Sequence, residues 1–232
     1  MKRARILLLA FVAMLSVGVV SCDGGNNGGG STTIEWVDLG LPSGLLWATR
    51  NLGANAPEEY GNYYAWGETT TKEVYYWSTY RYCTVDGEGS LQTLTKYNTS
   101  SDYGTPDNLT TLEAIDDAAT AALGSGARTP TKEEWWELID NTTVEWTTMN
   151  GVNGCKFTST ANGNTLFLPA AGYRHRSELN LAGSYGGYWS SLLYTDSPDG
   201  AWSFCFNSED GQGTGYDYRG DGQSVRPVRS AR

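Results

Sequence analysis

Short apolar and aromatic segments, each cut off within a few residues by Gly, Asn, Asp or Pro, constrain this chain most. In its second half, 144–148, 155–159, 165–168, 187–193, 201–207 and 224–228 carry β-branched and aromatic residues between such breakers, which predicts six short strands. In the first half, 34–38 and 45–49 read as strands around the turn Leu41-Pro42-Ser43-Gly44. The aromatic stretch 60–67, broken by glycines, reads as a strand edge and a bend. Between 70 and 110 no period emerges, so long loops are expected there. Two segments read as helices. Leu112, Ile115, Ala119 and Ala122 fall at helical spacing before Gly124, predicting a helix over 112–123. Thr131-Lys132-Glu133-Glu134 is a capping box, and Trp135, Leu138 and Ile139 form an apolar stripe behind it. Two helices among short strands predict an α+β domain with a mainly antiparallel twisted sheet and long loops.

The apolar side chains available to such a fold are unusual. There are 9 Trp and 15 Tyr against 5 Phe, so much of the apolar area carries a polar handle. That suits a small core under broad loops, or an aromatic binding face. A formal net charge of −10 argues against nucleic acid as a partner. One His and no C-x-x-C pair leave no Cys/His zinc pattern, so neither metal nor cofactor is expected. Cys155 and Cys205 both lie in strand-like segments and are the expected disulfide, with Cys83 left over.

The N-terminus sets the compartment. Lys2, Arg3 and Arg5 precede an apolar run from Ile6 to Val20, 15 residues long, and then Ser21-Cys22. This order of basic, apolar and small residues describes a secretory signal over 1–21, and the run is shorter than the roughly 20 residues a membrane-spanning helix needs. Cys22 at the cut resembles the lipobox of bacterial lipoproteins, which implies a diacylated Cys22 as mature N-terminus. Residues 22–32 are rich in Gly and Asn and form a flexible tether. A lipid-anchored protein of the outer membrane or cell surface is therefore expected, with residues 33–232 as its one domain.

Three constellations bear on chemistry. His175, the single histidine, sits in Arg174-His175-Arg176 with no nucleophile motif around Ser177 or Ser190, and a polar loop explains it. The carboxylates Asp196, Asp199, Glu209, Asp210, Asp217 and Asp221 are interleaved with glycines in the manner of turns, without calcium-loop spacing. Tyr75, Tyr76, Trp77, Tyr80 and Tyr82 form an aromatic run in the loop-rich region, where exposed rings would stack on the C–H faces of sugars. These five are the candidate ligand-binding residues. No catalytic residue is expected.

Several strings occur together in fixed order. They include Leu41-Pro-Ser-Gly-Leu-Leu-Trp-Ala48, Tyr60-Gly-Asn-Tyr-Tyr-Ala-Trp-Gly-Glu68, Asp116-Asp-Ala-Ala119 and Arg128-Thr-Pro-Thr-Lys-Glu-Glu134. Leu168-Pro-Ala-Ala-Gly-Tyr-Arg174, Gly187-Tyr-Trp-Ser-Ser191 and Ser224-Val-Arg-Pro-Val-Arg229 follow. From about Trp36 to Arg229 the set resembles the major paralogous domain, a family of lipoprotein and adhesin-like domains of Bacteroidetes and Fibrobacter. That resemblance implies a single C-type-lectin-like domain. The calcium-binding motifs of C-type lectins and the redox cysteine pair of formylglycine-generating enzymes are absent, so neither activity is implied. A non-enzymatic surface lipoprotein for adhesion or for glycan or protein recognition is the leading expectation. The alternatives are an envelope enzyme acting on polysaccharide through paired carboxylates, marked by two acids converging in one cleft, and a structural, fimbria-associated component.

Overall fold

Thr131 behaves as its sequence demands: its hydroxyl accepts from the Glu134 amide while Glu134 reaches back to the Thr131 amide, and helix α2 (Lys132–Asp140) starts there. The structure, a computed structural model, describes residues 33–231; the signal segment, Cys22 and the tether lie outside the described residues. In chain order the strands before the helices are β1 (Trp36–Asp38), β2 (Leu45–Ala48), β3 (Tyr63–Tyr64), β4 (Cys83–Val85) and β5 (Leu91–Leu94). Helices α1 (Ala118–Leu123) and α2 come next, then β6 (Thr142–Met149), β7 (Val152–Ser159), β8 (Thr165–Pro169), β9 (Tyr173–His175) and β10 (Glu178–Asn180). The chain closes with β11 (Tyr185–Leu193), β12 (Gly200–Asn207), β13 (Gly211–Tyr218), β14 (Gln223–Ser224) and β15 (Val228–Ser230). Among the described residues no helix is long and apolar enough to cross a membrane.

The strands form several separate sheets rather than one. A five-stranded sheet runs β13-β12-β11-β14-β3, β6-β7-β8 form a meander, β2 lies between β1 and β15, and β4-β5 and β9-β10 are hairpins. Only the β11–β14 pairing is parallel among the named strands. This corrects the expected α+β, single C-type-lectin-like domain: strands make up about 40% and helices 11% of the structure, spread over multiple small sheets, so the fold is β-rich. Two local causes account for the difference. The helix expected at 112–123 is only the six residues of α1, because the Asp117 carboxylate accepts from the Ala119 and Thr120 amides and fixes the start there. Upstream, Leu112 instead donates its amide to Ser191. The expected loops at 70–110 contain β4 and β5, joined where Asp86 Oδ1 accepts from the Glu88 and Ser90 amides.

The core lies on both faces of the five-stranded sheet. Side chains alternate along β11, so the adjacent Tyr188 and Trp189 are both buried on opposite faces. Tyr188 joins Trp47, Trp135, Phe157, Phe204 and Phe206, with Trp135 of α2 stacked on Phe204 at 4.5 Å. Trp189 joins Tyr63, Trp66, Tyr75, Tyr80 and Tyr97 in the second cluster. Tyr60-Gly-Asn-Tyr-Tyr-Ala-Trp66 and Tyr185-Gly-Gly-Tyr-Trp-Ser190 are similar strings, and the likeness has a structural meaning. Tyr63 and Tyr188 both pair with Ser224, Trp66 Nε1 donates to Ser190 O, and Trp189 Nε1 donates to Tyr64 O. The two similar strings are β3 and β11, flanking β14 and exchanging indole hydrogen bonds.

Two arginines are wholly buried without a carboxylate partner. Arg226 donates to Asn51 Oδ1, Ala48 O and Phe167 O, each at 3.0 Å. Arg219 donates to Tyr80 Oη and to the carbonyls of Lys96, Tyr97 and Pro198, each at 2.9 Å. Arg226 ties strands β2 and β8 and Arg219 ties loop carbonyls into a fixed set of partners, which buried polar groups require. The expected Cys155–Cys205 disulfide is absent: all three described cysteines are free. Cys155 points into the Trp135 cluster, whereas Cys205, between the inward Phe204 and Phe206 on β12, faces the other side of the sheet.

Candidate functional site

The aromatic run 75–82 divides between core and surface. Tyr75, Tyr80 and Tyr82 are buried, with hydroxyls donated to Tyr63 O, Trp66 O and Asp116 Oδ1 respectively. Rings held in this way cannot stack on a ligand. Their phenols are pushed up by burial, as expected of neutral core groups. Tyr76 and Trp77 are half-buried: Trp77 packs edge-on to Tyr80 at the rim of the core, and both line the wall of an open cleft of about 470 Å3.

Several distant stretches of chain build that cleft. Tyr76 and Trp77 lead into a short 3-10 turn at 77–79. The β9–β10 hairpin supplies His175 and Arg176, the residue before β12 supplies Asp199, the end of β13 and the turn after it supply Tyr218, Gly220 and Asp221, and Leu91 and Tyr103 close the remaining wall. Backbone pairing locks them together. Tyr75 and Arg176 exchange amide bonds at 2.8 and 2.7 Å, and Arg174 and Gly222 do the same at 2.7 and 2.8 Å. A Cβ at Gly222 would fall 2.6 Å from the Tyr75 ring, so only glycine lets these layers close.

Inside the cleft the polar groups are oriented. His175 Nδ1 is hydrogen-bonded to Asp221 Oδ1 at 2.8 Å, and the Asp221 carboxyl is pushed up by burial against the opposing pull of His175. The Tyr76 ring stands edge-on to His175 at 5.6 Å, and the Arg176 guanidinium covers its other approach at 4.1 Å. Arg176 holds φ +55, the left-handed region that favours glycine, at the first of the two residues turning the hairpin. A bulky cation placed where glycine would be easier marks local strain kept at the cleft mouth. Trp77 meets Tyr218 edge-on at 6.0 Å, and Asp199 accepts from the Ser197 hydroxyl at 2.6 Å.

The arrangement offers rings flanked by fixed donors and acceptors, which can hold a polyhydroxylated ligand by stacking and by hydrogen bonds. Asp199 and Asp221 line the same cleft, so the two-acid feature named for an enzyme is present as a juxtaposition. The remaining carboxylates of the acidic stretch are dispersed: Asp217 accepts from the Ser203 hydroxyl and Asp210 from Asn207. Sequence reasoning found Tyr76 and Trp77 but left His175 in a plain polar loop and Asp221 in a turn. It had no means of pairing residues 46 positions apart.

A domain of unknown function, DUF8237, matches residues 131–228. That span carries β6 to β14, Arg219, Arg226 and the His175–Asp221 side of the cleft, while Tyr76, Trp77 and the strands β1 to β5 lie outside it. No curated protein matches the chain. No solved structure matches it either.

Proposed function

We propose that this chain is a non-enzymatic, lipid-anchored surface protein that recognises glycans in the Tyr76–Trp77 cleft. Cys22 would carry the lipid, the tether would hold the domain clear of the outer membrane or cell surface, and adhesion would follow from binding. The observation that supports it is the pairing of surface aromatics with oriented polar groups: Tyr76 and Trp77 beside Arg176, His175 and Asp199 in one open cleft. Sugars use that combination, since their C–H faces cover rings while their hydroxyls bridge to side chains at the edge.

A hydrolytic reading has one observation in its favour, the two acids Asp199 and Asp221. Against it, Asp221 is occupied by His175 and Asp199 by Ser197. A glycan screen of the purified chain separates the two. Saturable binding without release of reducing ends, weakened about tenfold or more by Trp77→Ala, is the expected result. Hydrolysis abolished by Asp199→Asn would replace recognition with catalysis, and no binding to any glycan would sink the cleft as a sugar site.

A further inference from the structure

Aromatic side chains are not confined to the cleft. β13 is the edge strand of the five-stranded sheet, and residues two apart along a strand share a face. Thr214, Tyr216 and Tyr218 therefore look the same way. Tyr218 lines the cleft beside Trp77. Next along the strand, Tyr216 is 53% exposed and stacked flat on Tyr194 at 4.2 Å and 2°. Beyond it Trp136 of α2 is 42% exposed, its Nε1 donating to Thr214 Oγ1 at 3.1 Å. At about 6.7 Å between successive same-face residues, this row continues the cleft for roughly 13 Å from Tyr218 to Thr214.

Each ring is held by a neighbour, so little freedom is lost when a ligand covers it, and exposed aromatic patches of this kind mark binding surfaces. We propose that the ligand is an extended, uncharged polysaccharide chain, whose end or bend enters the cleft while its following sugars lie along the Tyr218–Tyr216–Trp136 row. The inference rests on the glycan reading above and names the ligand's class. Several observations choose this occupant. The row starts at Tyr218, which lines the cleft, and runs along one edge strand. Its rings are amphipathic, as sugar faces require, and Tyr218 and Tyr216 are spaced on the scale of a pyranose unit. The chain's formal charge of −10 disfavours polyanions.

Calorimetric titration of the full-length chain in detergent with β-linked neutral oligosaccharides, from disaccharide to hexasaccharide, tests this. Affinity should rise with chain length. Tyr216→Ala and Trp136→Ala should each weaken hexasaccharide binding about tenfold and leave disaccharide binding unchanged. Trp77→Ala should weaken both. Circular dichroism checks that the variants are folded, and two independent row positions guard against loss of one fold. Affinity independent of length, with Trp77→Ala alone harmful, would overturn the row and leave the cleft standing. Binding to sulfated or uronate polymers in preference to neutral ones would overturn the uncharged ligand. Failure of every oligosaccharide to bind would remove the cleft reading and the row with it.

Discussion

Arg176 and Arg226 use the same side chain for opposite ends. Arg226 is a structural fork: buried, and bonded to an amide oxygen and two main-chain carbonyls from two distant parts of the chain. Burial lowers its pKa to about 10, so it remains charged at neutral pH and depends on those oxygens. Lysine has one nitrogen and cannot reach all three. Arg226→Lys should lower unfolding free energy by about 3 kcal/mol in urea titration, the order of losing charge-assisted hydrogen bonds in the interior. Arg176 is instead strained and bonded through its backbone, its guanidinium resting on Tyr76. Arg176→Gly removes the left-handed strain, so the melting temperature should hold or rise by an amount equivalent to at most about 1 kcal/mol. Glycan affinity should nevertheless fall. A variant that loses stability and keeps affinity would make Arg176 a structural residue and remove it from the site.

Segment 80–116 is tied together by several polar groups, of which the buried Asp116 carboxylate gathers the most side chains. Asp116 accepts from Tyr82, Tyr97 and Lys96, with Lys96 also bonded to Glu113. Burial works to raise the Asp116 carboxyl, but these hydrogen bonds outweigh it and hold the group below its usual range. A depressed folded value means that ionisation contributes stability above the unfolded pKa near 4, lost as pH falls through the folded value. Asp116→Asn should therefore cost about 2 kcal/mol at neutral pH, and the gap to wild type should narrow on acidification below about pH 4. Stability curves against pH would check it; a constant gap would show that the carboxylate's charge is not what orders the segment. This network explains what was legible in the chain and what was not. The capping box of α2 and most strands of the second half are local patterns and could be read directly. β13 reads as turns because Gly211, Gly213 and Gly215 occupy one face and leave no alternation to see. β4 and β5 were missed although Asp86-Gly87-Glu88-Gly89 carries turn chemistry between them. The cleft could not be read at all, since Tyr76, His175 and Asp221 meet only through long-range strand pairing.

The arrangement of strands makes the folded body depend on its whole length. β2 lies between β1 and β15, so the first and last strands of the described chain share a sheet. β14 joins β3 to β11, and β11 places Tyr188 in one core and Trp189 in the other, one residue apart. Neither aromatic cluster can lose its packing without disturbing the strand that forms the floor of its partner. Close-packed interiors transmit such changes, so residues 33–232 should unfold as one cooperative unit. Calorimetry should give a single transition. Tyr188→Ala and Trp189→Ala should each lower it by about 3–5 kcal/mol, roughly 10 °C for a domain of this size, without dividing it. If Trp189→Ala melted its own cluster and left the Trp135 cluster intact, a second transition would appear. The five-stranded sheet would then be a seam between two independent cores, and one side of it could open while the other stayed folded.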